Sequence, residues 1–112
     1  MKNKAPVETG PMTQERWQIL TLPQQLGNIG SEFSMYALLL KKEAVIDAGK
    51  SLTVVLNLLD FTISDSRWMD RVKDLTKFRK VLCDTTSGEH VHQATVEKLQ
   101  TYLLSFALLA RK

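Results

Sequence analysis

The sequence predicts an all-α protein, an up-down-up-down four-helix bundle, and three observations predict it. Apolar residues recur at spacings of three and four in four separate stretches, a helix-start signature opens the first of these, and helix breakers are scarce. No proline follows Pro23, and no glycine lies between Gly49 and Gly88. Spacings of three and four bring side chains onto one face of an α-helix. Four such faces joined by short connections are buried most economically against one another.

Residues 1–12 hold two of the three prolines, a glycine and several charges, and read as a flexible tail ahead of a single domain over 13–112. From Thr13 to Leu20 a short turn leads in, with Trp17 packed inward because a buried tryptophan removes a large apolar area from water. The first long helix is expected from Leu22 to Lys42. Thr21 and Gln24 have the capping-box spacing, and Pro23 sits in the first turn, where amides have no helical partner. Leu22, Leu26, Ile29, Phe33, Tyr36 and Leu40 form its apolar stripe. A break near 41–45 precedes a second helix running to Ile63 through Val45, Ala48, Leu52, Val55, Leu56 and Leu59. The β-branched LTVVLN and FTIS runs make a strand the rival reading, but the spacing favours helix. Ser64-Asp65-Ser66 supplies capping side chains for a third helix, Arg67 to Leu82, with Trp68, Val72 and Leu75 inward. Asp84 to Gly88 reads as a loop, and the fourth helix runs from His90 to Ala110.

Composition limits the function classes. The chain has 112 residues, 44% hydrophobic and 24% charged, as in an ordinary globular domain. No apolar run approaches the roughly 18 residues of a membrane span, and the first residues lack the apolar stretch of a secretory signal, so no membrane role and a cytoplasmic location are expected. One cysteine, Cys83, just past the third helix, cannot form an internal disulfide and fits a packing role. The P-loop, dinucleotide-binding, zinc-protease and serine-hydrolase patterns are absent. His90 and His92 point about 200° apart on a helix and have no second ligand cluster. No cofactor and no enzymatic activity are therefore expected.

Two features remain. Between Arg67 and Leu82 lie six basic and two acidic residues, a local balance of +4 in a chain whose total is +3. Arg67 and Arg71 at i, i+4 form one flank and Lys73, Lys77 and Lys80 another, and Arg79 is counted with them although it or Phe78 takes an inner position. Such rows can follow phosphates through salt-dependent contacts to RNA or DNA. The competing reading is a solvated face laced by Asp70 with Lys73 and Asp74 with Lys77. Asp60 is expected to face solvent or to pair with Arg67 or Arg71. The second feature is a thin flank on the first helix, where Gly27, Gly30, Ser31 and Ser34 mark either a close crossing within the chain or an oligomer seam. Each interior helix glycine costs roughly 1 kcal/mol relative to alanine, so two of them imply a close neighbour.

The blocks TLPQQLGNIGSE, Thr21 to Glu32, and LNLLDFTISDSR, Leu56 to Arg67, resemble a group of small bacterial and archaeal four-helix-bundle proteins associated with the accessory variability proteins of diversity-generating retroelements. The resemblance extends through Arg79 to Asp84 and Phe106 to Arg111. It implies a basic bundle that self-associates, docks onto a reverse transcriptase and contacts its nucleic acid. The leading expectation is thus a non-enzymatic accessory protein that binds nucleic acid and a protein partner. The alternative is a homo-oligomeric interaction module without nucleic-acid binding.

Overall fold

The computed structural model describes residues 12–87 and 91–110, so the expected tail falls outside it except for Met12. Every regular element among the described residues is helical. In chain order these are α1 (Gln14–Trp17), α2 (Leu22–Lys41), α3 (Val45–Ile63), a 3-10 helix (Ser66–Arg71), α4 (Val72–Thr86) and α5 (Gln93–Ala110).

The start of α2 is built from the capping box: Gln24 N donates to Thr21 Oγ1 at 3.3 Å, and Thr21 N donates to Gln24 Oε1 at 2.8 Å. Two otherwise orphaned amides are satisfied reciprocally. Its far end turns through Glu43, which takes φ 60° in the left-handed region. There Glu43 N donates to Leu40 O at 3.0 Å and Ala44 N to Leu39 O at 2.9 Å. This is the Schellman pattern, whose left-handed position normally holds glycine. The expected break near 41–45 is therefore a three-residue turn that starts α3 at Val45.

α2 is the hub, packing extensively on both α3 and α5, while α4 touches α3 and α5 more sparingly. α2 and α5 run antiparallel: Gly27 lies against Ala107, Gly30 against Leu103, Gln100 Nε2 donates to Ser34 Oγ at 3.0 Å, and Lys41 meets Glu97 at 4.0 Å. The core collects Ile29 and Phe33 from α2, Val55 and Leu59 from α3, Leu82 from α4, and Val96 and Leu103 from α5, all fully buried. Burying each such side chain stabilises by about 1.5–3 kcal/mol, and Trp17 of α1 closes one end of this core.

The third expected helix differs most. Its first turn is the 3-10 helix, in which Trp68 leaves helical geometry at φ −108°, ψ 25°. Regular α-helix begins only at Val72 and continues to Thr86, so Cys83 and Asp84 lie within α4 rather than after it. The expected start of the fourth helix at His90 lies outside the described residues, and α5 begins at Gln93.

Candidate nucleic-acid interface

The segment between α3 and α4 is shaped by one carboxylate. Asp65 is buried, and its Oδ1 accepts from Arg67 N at 3.1 Å, so it caps the 3-10 turn rather than an α-helix. The Arg67 side chain then folds back over it. Arg67 Nε donates to Asp65 Oδ1 at 3.0 Å, and Nη2 donates to Asp65 Oδ2 at 2.7 Å and to Leu20 O at 2.8 Å. The guanidinium also stacks on the Trp68 ring, 4.5 Å from its centroid. Hydrogen bonds from Arg67, assisted by Gln25, hold the Asp65 carboxyl at about 2, against the opposing push of burial. Arg67 is raised in turn by the same bond.

This pair joins a buried polar network that the sequence reading missed. Trp17 Nε1 donates to Thr62 Oγ1 at 2.8 Å, and Thr62 Oγ1 donates to Leu58 O at 3.0 Å. Gln25 Nε2 donates to Trp17 O at 2.9 Å and Asp65 Oδ2 at 3.3 Å, while its Oε1 accepts from Trp68 Nε1 at 2.9 Å. A buried polar group left without a partner costs about 1–3 kcal/mol. Each group here has one, and the network fastens α1, α2, α3 and the 3-10 turn together. Its sequence signal is a polar residue on a buried stripe: Gln25 shares its face of α2 with Ile29 and Tyr36.

The six basic residues separate into two kinds. Arg67 belongs to this network and does not form a flank with Arg71, because the 3-10 geometry between them removes the i, i+4 register. Arg79 is bound to Asp60 by two contacts, 2.8 Å from Nε and 3.3 Å from Nη2, so Asp60 pairs with neither Arg67 nor Arg71. Arg79 Nη1 also lies 3.6 Å from Cys83 Sγ. These two arginines hold the fold.

Lys73, Lys77 and Lys80 are exposed and follow one another at i, i+4, i+7, a single outward row on α4 about 10 Å long. Lys80 Nζ pairs with Asp84 at 3.1 Å, a contact exposed on both sides. Among the described residues Lys73 and Lys77 make no ion pair, so the lacing by Asp70 and Asp74 is not formed. Arg71, also unpaired there, points elsewhere: it lines an open groove of 420 Å³ together with Thr21, Trp68, Asp70, Phe106 and Leu109.

Of the thin flank on α2, Gly27 and Gly30 are taken up inside the chain. A Cβ at Gly27 would lie 2.9 Å from Ala107 Cα, and one at Gly30 would lie 2.9 Å from Leu103 Cβ. Ser34 accepts from Gln100, while Ser31 is exposed and donates to Gly27 O at 3.3 Å. His90 lies outside the described residues, and His92 is exposed ahead of α5. Among the described residues no group of three or more His, Cys, Asp or Glu side chains is placed to hold a metal ion. None of their helices is long and apolar enough to cross a membrane. No protein family, curated protein or solved structure matches the chain.

Proposed function

We propose that the chain is a non-enzymatic accessory protein, an up-down-up-down four-helix bundle that binds the phosphate backbone of RNA or DNA through α4 and works beside a protein partner. The observation that carries this reading is the outward row of Lys73, Lys77 and Lys80, two of whose ammonium groups have no acid against them among the described residues. A row about 10 Å long reaches two or three phosphates and no base edges, which makes the contact one of charge rather than of sequence. Arg67 and Arg79, spent on Asp65 and Asp60, take no part. The non-enzymatic reading draws on how the most perturbed carboxylate is used: Asp65 is buried, covered by Arg67 and bonded within the fold, so that Arg67 and not Asp65 borders the open groove beside it. The resemblance of Thr21–Glu32 and Leu56–Arg67 to retroelement accessory proteins favours a reverse transcriptase as the protein partner.

Fluorescence anisotropy with labelled single-stranded RNA and duplex DNA tests the reading. Three phosphate contacts give a slope of log K against log salt of about −2.7 on duplex and about −2.1 on single strands. Lys73→Glu combined with Lys77→Glu removes most of that binding and flattens the slope. Binding that is absent at low ionic strength, or indifferent to salt, rejects it and leaves the interaction module without nucleic acid.

A further inference from the structure

α4 and α5 meet through a short stack of rings and leave a cleft beyond it. The Phe78 and Tyr102 rings lie 5.2 Å apart, and Phe106 meets Tyr102 edge-on at 5.3 Å. Two hollows lie beside these rings. They share Leu22, Arg71 and Phe106 and so form one cleft. The outer hollow is the 420 Å³ groove beside Trp68. The inner one, of 90 Å³, is more enclosed, with the buried Leu26 and Leu75 in its wall and Phe78 and Tyr102 at its end.

Charges of both signs line this cleft, and the fold uses none of them. Among the described residues Asp70, Arg71 and Asp74 make no ion pair and no side-chain hydrogen bond, and all three are exposed. Asp74 follows Arg71 by three positions, a spacing at which helical side chains are neighbours, yet the two do not join. Arg67 and Arg79, in contrast, each grip an acid through two nitrogens. Arg71 faces both hollows, Asp74 the inner one and Asp70 the outer.

We infer that the cleft binds a small zwitterion with a large apolar side chain, an aromatic or branched-chain amino acid. Charge selects that occupant. A lone anion at Arg71 would sit between two carboxylates, and a lone cation at Asp74 would sit beside a guanidinium. A molecule with a carboxylate and an ammonium on one carbon satisfies both signs: its carboxylate accepts from the planar fork of Arg71, and its ammonium donates to Asp74. Both groups then lie at the mouth of the inner recess, and the side chain enters it. Size agrees. A water-sized group takes about 10–15 Å³ of such space, so a recess of 90 Å³ admits about six to nine heavy atoms, which accommodates a benzyl or an isobutyl group. The outward lysines of α4 line neither hollow, so this site stands apart from the phosphate-binding row.

Nitrogen–proton correlation NMR of the full chain is the test, because the chain holds two tryptophans and one of them lines the cleft. The Trp68 indole N–H, which donates to Gln25, reports on the site, and the buried Trp17 serves as the reference. L-Phenylalanine and L-leucine are expected to shift the Trp68 signal saturably, with a Kd on the order of 0.1–1 mM for so few atoms. Glycine, phenethylamine and 3-phenylpropionate lack in turn the side chain, the carboxylate and the ammonium, and each is expected to bind about tenfold more weakly or worse. Arg71→Gln and Asp74→Asn are expected to show the same loss with an unchanged circular dichroism spectrum, since neither side chain holds anything in place. Lys73→Glu with Lys77→Glu is expected to leave phenylalanine binding as it was, which separates this inference from the nucleic-acid reading. No saturable shift with either amino acid at about 10 mM, ten times the weakest expected constant, overturns the inference. So does 3-phenylpropionate or phenethylamine binding as tightly as phenylalanine, or undiminished binding in either Arg71→Gln or Asp74→Asn.

Discussion

Three glycines in three environments make a calibrated test of the α2/α5 crossing. Replacing a helix-interior glycine by alanine gains about 0.5–1 kcal/mol of stability where nothing obstructs the new methyl. Gly49 of α3 meets that condition, with nothing within 4 Å of its added Cβ. At Gly27 the same methyl would lie 2.9 Å from Ala107 Cα and 3.2 Å from Ala107 N, and at Gly30 it would lie 2.9 Å from Leu103 Cβ and 3.2 Å from Leu103 C. Several of those atoms are backbone and cannot rotate aside, so α5 must move off α2 along a seam that holds Leu103 and Val96 in the core. Forced overpacking of this kind costs about 1–3 kcal/mol, which exceeds the propensity gain. The expected order in urea denaturation is Gly49→Ala above wild type by about 0.5–1 kcal/mol and Gly27→Ala and Gly30→Ala below it by about 1–2 kcal/mol. In thermal melts about 4 °C accompanies each kcal/mol for a domain of this size. Should all three substitutions stabilise alike, the two helices do not approach as closely as described, and the packing argument fails.

The remaining predictions concern the turn, the carboxylate and the indole. Glu43→Gly relieves a left-handed conformation that costs an ordinary residue about 1–2 kcal/mol, and it should raise the urea midpoint without changing the m-value. Asp65 titrates in the folded chain at about 2, below its ordinary 3.8. Its contribution is therefore complete above pH 4 and is lost as pH falls through 2. At about 1.4 kcal/mol per unit, discounted because the Arg67 partner is partly exposed, the loss is on the order of 1–2 kcal/mol. Asp65→Asn should lack that acid limb in stability measured from pH 5 to 2, and an unchanged limb would show that other carboxylates produce it. Trp17→Phe keeps an aromatic ring but removes both the 2.8 Å bond to Thr62 and the pyrrole part of a fully buried indole, and a loss of about 1 kcal/mol or more from the two together is expected in the same denaturation assay.

Much of the helical layout was legible because it rests on local rules. The Thr21–Gln24 cap, the first-turn Pro23, the 3/4 spacing of Leu26, Ile29 and Phe33, and the inward Trp17 each follow from chemistry within a few residues. The region after Ile63 was not legible, because Asp65 works at long range. Its spacing to Arg67 suggests an N-cap, yet the bonds that bury it come from Gln25, forty residues earlier, and an Arg67 that also reaches Leu20 O. Once the guanidinium is drawn down over Asp65, the chain turns in 3-10 geometry and no continuous helical row from Arg67 to Lys80 exists. The basic segment that looked uniform in sequence is two things in space: arginines that anchor, and lysines that face water.

That division has a general physical basis, and it decides which residues to mutate. A guanidinium offers a planar fork that holds a carboxylate in two bonds at once, as Arg67 does with Asp65 and Arg79 with Asp60, and so it is readily consumed by the fold. A lysine is a hydrated point charge on a flexible stem, and the three on α4 are all more usefully left in solvent. Replacing Arg67 therefore tests stability, whatever binding is also lost, whereas replacing Lys73 or Lys77 alters charge at positions that hold nothing in place.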